Sequence, residues 1–221
     1  MTQFSIGIIF SLVTFSAVLL LWRASGRSRA VLGTVAGWIL IQSVTAVSGF
    51  YMITDTIPPR FILLIAPPAL FILWSFLSSG GKRSAERFDG EWLTYLHTTR
   101  IGIEIVLFLL SGIQFVPTML TWEGSNLDIL TGITAPVIGY FGYRKKRLSN
   151  QMIIGWNLAG MILLFNVVYH GILSAPSPFQ QFSFDRPNLL PLYFPFMLLP
   201  GFLVPLMLYS HLVSVRLLLR R

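Results

Sequence analysis

Residues Leu93 to Met119 read LTYLHTTRIGIEIVLFLLSGIQFVPTM, and this stretch decides the class of fold. It is mostly apolar and longer than the ~20 residues that a helix needs to cross a bilayer. Its first half nevertheless contains His97, Arg100 and Glu104. An ionisable side chain inside a membrane costs at least ~2.5 kcal/mol on insertion scales, so such groups are usually paired and often functional.

The composition of the whole chain agrees with a membrane protein. Of its 221 residues, 54% are hydrophobic and 11% are charged, whereas soluble domains carry about 25% charged residues. This excludes a separate soluble domain of any size, and we expect one transmembrane domain over residues 1–221. The formal net charge of +8 lies in short loops, which favours a lipid bilayer as partner and not nucleic acid. The absence of cysteine excludes disulfides and thiolate chemistry.

Seven apolar segments predict an all-α, polytopic fold with seven transmembrane helices. The first segment has no positive region before it and no small-residue cleavage site after it, so we interpret it as a retained anchor and not as a signal peptide. The approximate bounds of the predicted helices are 4–22, 30–53, 61–77, 93–119, 129–143, 152–174 and 190–212.

The basic residues predict the orientation of these segments. Thirteen of the 16 lysines and arginines follow segments one, three, five and seven. Lys and Arg are enriched in cytoplasmic loops, so we expect the N-terminus outside and the C-terminus in the cytoplasm. The four clusters comprise Arg23, Arg27 and Arg29; Lys82, Arg83 and Arg87; Arg144, Lys145, Lys146 and Arg147; and Arg216, Arg220 and Arg221.

Polar residues at matching depths predict a site in the cytoplasmic half of the membrane. His97 and Glu104 share one face of their helix, and Arg100 precedes Glu104 by four residues, a spacing that allows an intrahelical pair. Asn157 on segment six and His211 on segment seven lie at a similar depth. The predicted ligand or proton site therefore comprises His97, Arg100, Glu104, Asn157 and His211.

A second, weaker polar cluster is predicted near the outer surface. Asn166 and His170 share the opposite face of segment six, and the acidic and basic side chains of the outer loops lie at a similar depth. Exposed charges at a membrane surface are common and do not by themselves indicate a function. The full cluster is Asn166, His170, Glu123, Asp128, Asp185 and Arg186.

Prolines predict bends in two of the segments. Pro67 and Pro68 interrupt segment three, and Pro191, Pro195, Pro200 and Pro205 fall in or beside segment seven. Proline lacks the backbone N–H that a helical carbonyl needs. In a membrane, a neighbouring helix, a side chain or water must satisfy the freed carbonyl, so segment seven is expected to be bent and to pack against protein.

Several functions remain open on this evidence. We favour the hypothesis that the protein binds or transports a small polar or anionic molecule, an ion or a proton. His97, Glu104 and His211 are weak candidate metal ligands, and His97 with His211 could in principle hold a haem. An intramembrane enzyme acting on lipid could use Glu104 or His97 as a general base. A structural or assembly role would need the polar groups only for helix packing. No cofactor, catalytic residue or oligomeric state follows from the sequence.

Short runs in the second half of the chain resemble a group of uncharacterised bacterial multi-pass membrane proteins. These are EGSNLD at Glu123–Asp128, SAPSPFQQFSFDRPN at Ser174–Asn188, the Phe194–Pro195 pair and the Ser210–His211 pair. The resemblance covers roughly residues 93–218. It implies a location in the bacterial inner (plasma) membrane and implies no activity.

Overall fold

The computed structural model describes residues 2–220 and confirms the all-α class, since no strand occurs among them. Two π-helical turns, Gly139–Arg144 and Leu199–Leu203, each extend a helix at one end. The helices are α1 (Gln3–Ala24), α2 (Arg29–Val47), α3 (Ile62–Leu77), α4 (Ser79–Ala85), α5 (Gly90–Leu96), α6 (Thr99–Gly112), α7 (Ile129–Ile138), α8 (Asn150–Leu173) and α9 (Val204–Leu219).

Five helical stretches within residues 2–220 are long and apolar enough to cross a membrane. They are Gln3–Ala24, Arg29–Val47, Gly90–Gly112, Asn150–Leu173 and Leu199–Leu219. A sixth is added if α3 and α4, which meet at an angle of 95°, are counted as one bent span. The predicted segment 129–143 is helical but is shorter than these five. The structure therefore supports membrane association, and the count of seven stays a prediction.

Three helices begin or end at residues other than those predicted from hydropathy. Backbone conformation or proline explains each difference. The helix predicted at 30–53 ends at Val47, followed by Gly49 in the left-handed region at φ 77°. The helix predicted at 93–119 ends at Gly112, and Gln114, two residues later, adopts φ 59°. In the segment predicted at 190–212, π-helical and α-helical structure runs from Leu199 to Leu219. Pro191 and Pro195 lie before that point and have no N–H to donate to a regular helix.

The predicted stretch 93–119 also contains a break that positions functional groups. The backbone N–H of His97 and that of Arg100 bond to carbonyls three residues earlier, at Thr94 and His97. This tightened turn separates α5 from α6. Because three-residue bonding changes the rotation per residue, the side chains of α6 are turned relative to those of α5.

The helix formed by Leu199–Leu219 lies at the centre of the molecule and α2 lies at its edge. The central helix packs against α8, α5 and α3, whereas α1 covers α5 and α6. In the most apolar part of each helix, 56% of Leu199–Leu219 is buried, against 11% of α2. A polar group on the central helix is therefore shielded from lipid by its neighbours.

Two side chains of α2 replace hydrogen bonds that prolines remove. Pro205 has no N–H for the carbonyl of Gly201, and the indole Nε1 of Trp38 donates to that oxygen at 2.8 Å. Pro67 leaves the carbonyl of Leu63 in the same position, and Gln42 Nε2 donates to it at 3.3 Å. Because Trp38 and Gln42 are four residues apart, they lie on one helix face. Side chains of a neighbouring helix therefore donate hydrogen bonds to both freed carbonyls, those of Gly201 and Leu63.

Candidate functional site

The candidate site is a buried cluster of seven side chains that we call the polar network. Its members come from the α5–α6 break, α6, the loop before α7, α8 and the central helix. They are His97, Arg100, Glu104, Asn126, Asp128, Asn157 and His211, and each is at most 6% exposed.

Arg100 is the only cation of the polar network that carries a permanent charge, and it is 1% exposed. Its Nη1 forms a hydrogen-bonded ion pair with Asp128 Oδ1. Its Nη2 lies 3.2 Å from His211 Nε2. The third guanidinium nitrogen, Nε, has no hydrogen-bond partner among the described residues. The pair with Asp128 provides the counter-charge without which a buried guanidinium would be strongly destabilising.

The hydrogen bonds of His211 assign its tautomer. Asn157 Nδ2 donates to the carbonyl of Ile153 at 2.8 Å, so the side-chain oxygen of Asn157 faces His211 Nδ1 at 2.9 Å. That oxygen only accepts, and therefore Nδ1 carries the proton. His211 Nε2 is then free to accept from Arg100. A protonated ring would place a second N–H against the guanidinium, so this arrangement requires the neutral imidazole.

Glu104 joins the polar network through Asn126. Asn126 Nδ2 donates to Glu104 Oε1 at 2.6 Å and to the carbonyl of Leu120 at 2.9 Å. Its Oδ1 accepts the backbone N–H of Asp128 at 2.9 Å. Asn126 therefore uses both amide protons and fixes the loop before α7 against α6. Glu104 Oε2 is buried and has no hydrogen-bond partner among the described residues.

The side chain of His97 is completely buried and makes ring contacts with two neighbouring aromatic side chains. Its imidazole stacks on His211 at a centroid distance of 3.9 Å and an interplanar angle of 20°. The indole of Trp156 meets His97 edge-on at 5.5 Å and His211 at 5.6 Å. Neither ring nitrogen of His97 has a hydrogen-bond partner within residues 2–220.

Two glycines allow the surrounding helices to approach the polar network. A Cβ atom at Gly160 of α8 would lie 2.6 Å from His211 Cε1 and 2.7 Å from its Nε2. A Cβ atom at Gly132 of α7 would lie 3.1 Å from the Cβ of Arg100. The close approach at Gly160 requires glycine, because real Cβ contacts are not found below 3.0 Å.

The structure brings together the five residues predicted for the inner site, with a different ion pair. Arg100 bonds to Asp128 and not to Glu104, and no ion pair between Arg100 and Glu104 occurs in the described chain. Asp128 was expected in the outer cluster. It belongs to the polar network because the loop before α7 folds into the protein. Asn126 was not predicted at all, although an asparagine two residues before a helix-starting aspartate is a turn signal.

The other residues of the predicted outer cluster do not form one site. Asn166 Nδ2 donates to the carbonyl of Ser125 at 2.7 Å, and His170 Nδ1 lies 2.9 Å from the carbonyl of Asn166. Glu123, Asp185 and Arg186 are exposed. No ion pair joins any of these residues in the described part of the chain.

The geometry offers no shared position for a metal ion or haem iron. Within residues 2–220, no three histidine or carboxylate side chains are arranged to hold a metal. The rings of His97 and His211 lie face to face, whereas two axial haem ligands point their nitrogens at one iron from opposite sides. Both nitrogens of His211 are also occupied by hydrogen bonds.

A family model of a domain of unknown function, DUF8737, matches residues 57–219. The chain belongs to the DUF8737 family. The DUF8737 region contains every residue of the polar network and the three proline-containing helices α3, α7 and α9, whereas α1 and α2 precede it. No curated protein and no solved structure matches the chain.

Proposed function

We propose that this protein binds and moves a small polar or ionic species through the polar network, with Glu104 as a site of protonation. The observation that carries the proposal is a set of buried polar atoms that have no hydrogen-bond partner among the described residues. These are both ring nitrogens of His97, Arg100 Nε and Glu104 Oε2. They belong to side chains that are 0%, 1% and 2% exposed.

A purely structural role accounts less well for these atoms. Polar groups that join membrane helices form hydrogen bonds with one another. A buried donor or acceptor left without a partner costs about 1–3 kcal/mol, and native proteins contain few of them. Four such atoms in one network therefore favour a site that binds a further group over packing alone.

The charges favour a proton or another small cation as the species that moves. Arg100 is one permanent cation, and Asp128 and Glu104 are two carboxyl groups, so the network carries one excess negative charge when both are ionised. Asp128 is committed to Arg100. Glu104 receives one neutral hydrogen bond from Asn126, and its Oε2 is available for a proton.

We further propose seven crossings in a bacterial inner membrane, with the N-terminus outside and the C-terminus in the cytoplasm. Contacts between chain segments that carry different basic clusters support this arrangement. Arg216 Nη2 pairs with Glu86 at 2.8 Å, and Arg220 pairs with the same carboxylate. The guanidinium of Arg23 lies 4.7 Å from the ring centre of Trp92. Asn150, which follows the third cluster, donates to the carbonyl of Leu218 at 3.4 Å. All four clusters therefore belong to one end of the bundle.

Proton movement in reconstituted vesicles tests the proposed function. The protein is placed in liposomes that enclose a pH-sensitive dye, and a pH gradient is imposed across the membrane. We expect the wild type to dissipate the gradient faster than empty vesicles and Glu104→Gln to abolish the difference. Glu123→Gln, a change at an exposed loop carboxyl, is the matched control and should behave as the wild type. Equal rates for wild type, Glu104→Gln and empty vesicles would contradict the proposal.

A further inference from the structure

A cavity of about 500 Å³ lies between α3, α8 and the central helix, and none of the seven side chains of the polar network lines it. Its volume is in the range of small-molecule sites. The lining residues on α3 include Ile65, Ala69 and Leu73, and those on α8 include Val168 and Gly171. Both helices pack on the central helix, which forms the wall between them.

The chemistry of the cavity fits hydrocarbon. Asn188 is the single polar side chain among its lining residues. The amide of Asn188 is already used, since Nδ2 donates to the carbonyl of Gly171 at 2.9 Å and Oδ1 accepts the N–H of Leu190 at 3.2 Å. A charged or strongly polar ligand would find only the remaining capacity of this one amide as a side-chain partner, and it would lose its hydration.

The length and position of the cavity fit one half of a bilayer. On α3 the lining runs from Phe61 to Leu73, which at ~1.5 Å per residue is about 18 Å. The hydrocarbon core of a membrane is ~30 Å thick, so one leaflet contributes about 15 Å. One end of the cavity lies at the ends of α3 and α8, beside Phe61 and Ala175. The other end lies at Leu212, inside the central helix.

We propose that this cavity binds one acyl chain of a membrane phospholipid. The headgroup lies at the end marked by Phe61 and Asn188, and the chain extends along the central helix towards Leu212. The hydrocarbon fills the space between α3, α8 and the central helix. Binding at this position is separate from the proton chemistry of Glu104, so either proposal can fail without the other.

Photochemical labelling tests the proposed lipid site. The whole protein is reconstituted in phosphatidylcholine vesicles that contain a trace of phosphatidylcholine with a diazirine on its acyl chain. After illumination, mass spectrometry locates the adducts. We expect labelling of Val204 and Leu208 on the central helix, which line the cavity. Ile162 of α8, which is 69% exposed, reports ordinary contact with surrounding lipid.

Two variants fill the cavity from opposite walls. Ala69→Trp adds an indole on α3, and Gly171→Leu adds a side chain on α8. Each should lower labelling of Leu208 roughly tenfold, because an acyl chain beside the added group would overpack the cavity, and should leave Ile162 unchanged. Ala36→Trp, at an exposed position of α2, is the matched control. Absence of labelling at Leu208 in the wild type, or equal labelling in wild type and both variants, would overturn the proposal.

Discussion

Arg100 is the charge on which the neighbouring side chains of the polar network depend. It is almost fully buried, it pairs with Asp128, and it donates to a histidine whose tautomer is fixed by Asn157. Removing either partner leaves a different defect. Loss of Asp128 leaves an unpaired charge, whereas displacement of His211 disturbs the hydrogen bond from the guanidinium to a neutral ring.

Asp128→Asn tests the first defect. The substitution keeps the size of the side chain but removes the counter-charge of Arg100, so we expect a loss of about 3–5 kcal/mol in the free energy of unfolding. Denaturant unfolding in detergent measures it. Asp185→Asn, at an exposed aspartate without an ion pair in the described chain, should change stability by less than about 0.5 kcal/mol. Equal effects of the two substitutions would show that the buried pair contributes nothing.

Gly160→Ala tests the second defect. The new methyl group would lie 2.6 Å from the ring of His211, so the ring must move and the protein should lose about 1–3 kcal/mol by overpacking. Gly155→Ala is the matched control on the same helix, because no atom lies within 4 Å of its added Cβ. Thermal unfolding of both variants measures the difference. A variant Gly160→Ala as stable as Gly155→Ala would contradict the close approach.

At the scale of elements, the position of α2 follows from the prolines of its neighbours. Trp38 and Gln42 donate to the carbonyls of Gly201 and Leu63, and the residue four positions after each carbonyl is a proline without an N–H. This explains how a helix that is mostly exposed to lipid is held in one place. It also shows that the central helix depends on a residue outside the DUF8737 region.

Trp38→Phe tests this link between α2 and the central helix. The substitution keeps an aromatic ring and removes the N–H donor, so the carbonyl of Gly201 loses its partner. We expect a loss of about 1–3 kcal/mol in unfolding free energy. Trp74→Phe removes an indole that is 48% exposed and makes no hydrogen bond in residues 2–220, and it should have a smaller effect. Equal losses would mean that the Trp38 bond is not specific.

Hydropathy and proline placement predict the elements better than the connections between them. The proximity of His97, Arg100, Asn157 and His211 could be predicted, because the depth of each residue in the membrane can be counted from the charged ends of its segment. Asp128 and Asn126 could not be placed in the same way, since a loop that folds back into a bundle leaves no periodic pattern. The 3₁₀-type turn at His97 is equally invisible to a count of apolar residues.

At the scale of the whole molecule, the four basic clusters lie at one end of the helix bundle, and the polar network is buried inside the bundle. If that end is cytoplasmic, Ser149 faces the cytoplasm and Ser177 faces the outside. The chain has no cysteine, so single substitutions Ser149→Cys and Ser177→Cys can be made without a background signal. We expect a membrane-impermeant maleimide added to intact cells to label Ser177→Cys and to label Ser149→Cys only after the membrane is opened. The reverse pattern would overturn the orientation.

The protonation of Glu104 is the central claim, and infrared difference spectroscopy measures it most directly. Spectra of the reconstituted protein are recorded between acidic and alkaline buffer for wild type, Glu104→Gln and Glu123→Gln. We predict a band from the C=O stretch of a protonated, buried carboxyl group that responds to pH in wild type and Glu123→Gln and is absent in Glu104→Gln. A band that persists unchanged in Glu104→Gln, or no pH-dependent carboxyl band in the wild type, would contradict the claim.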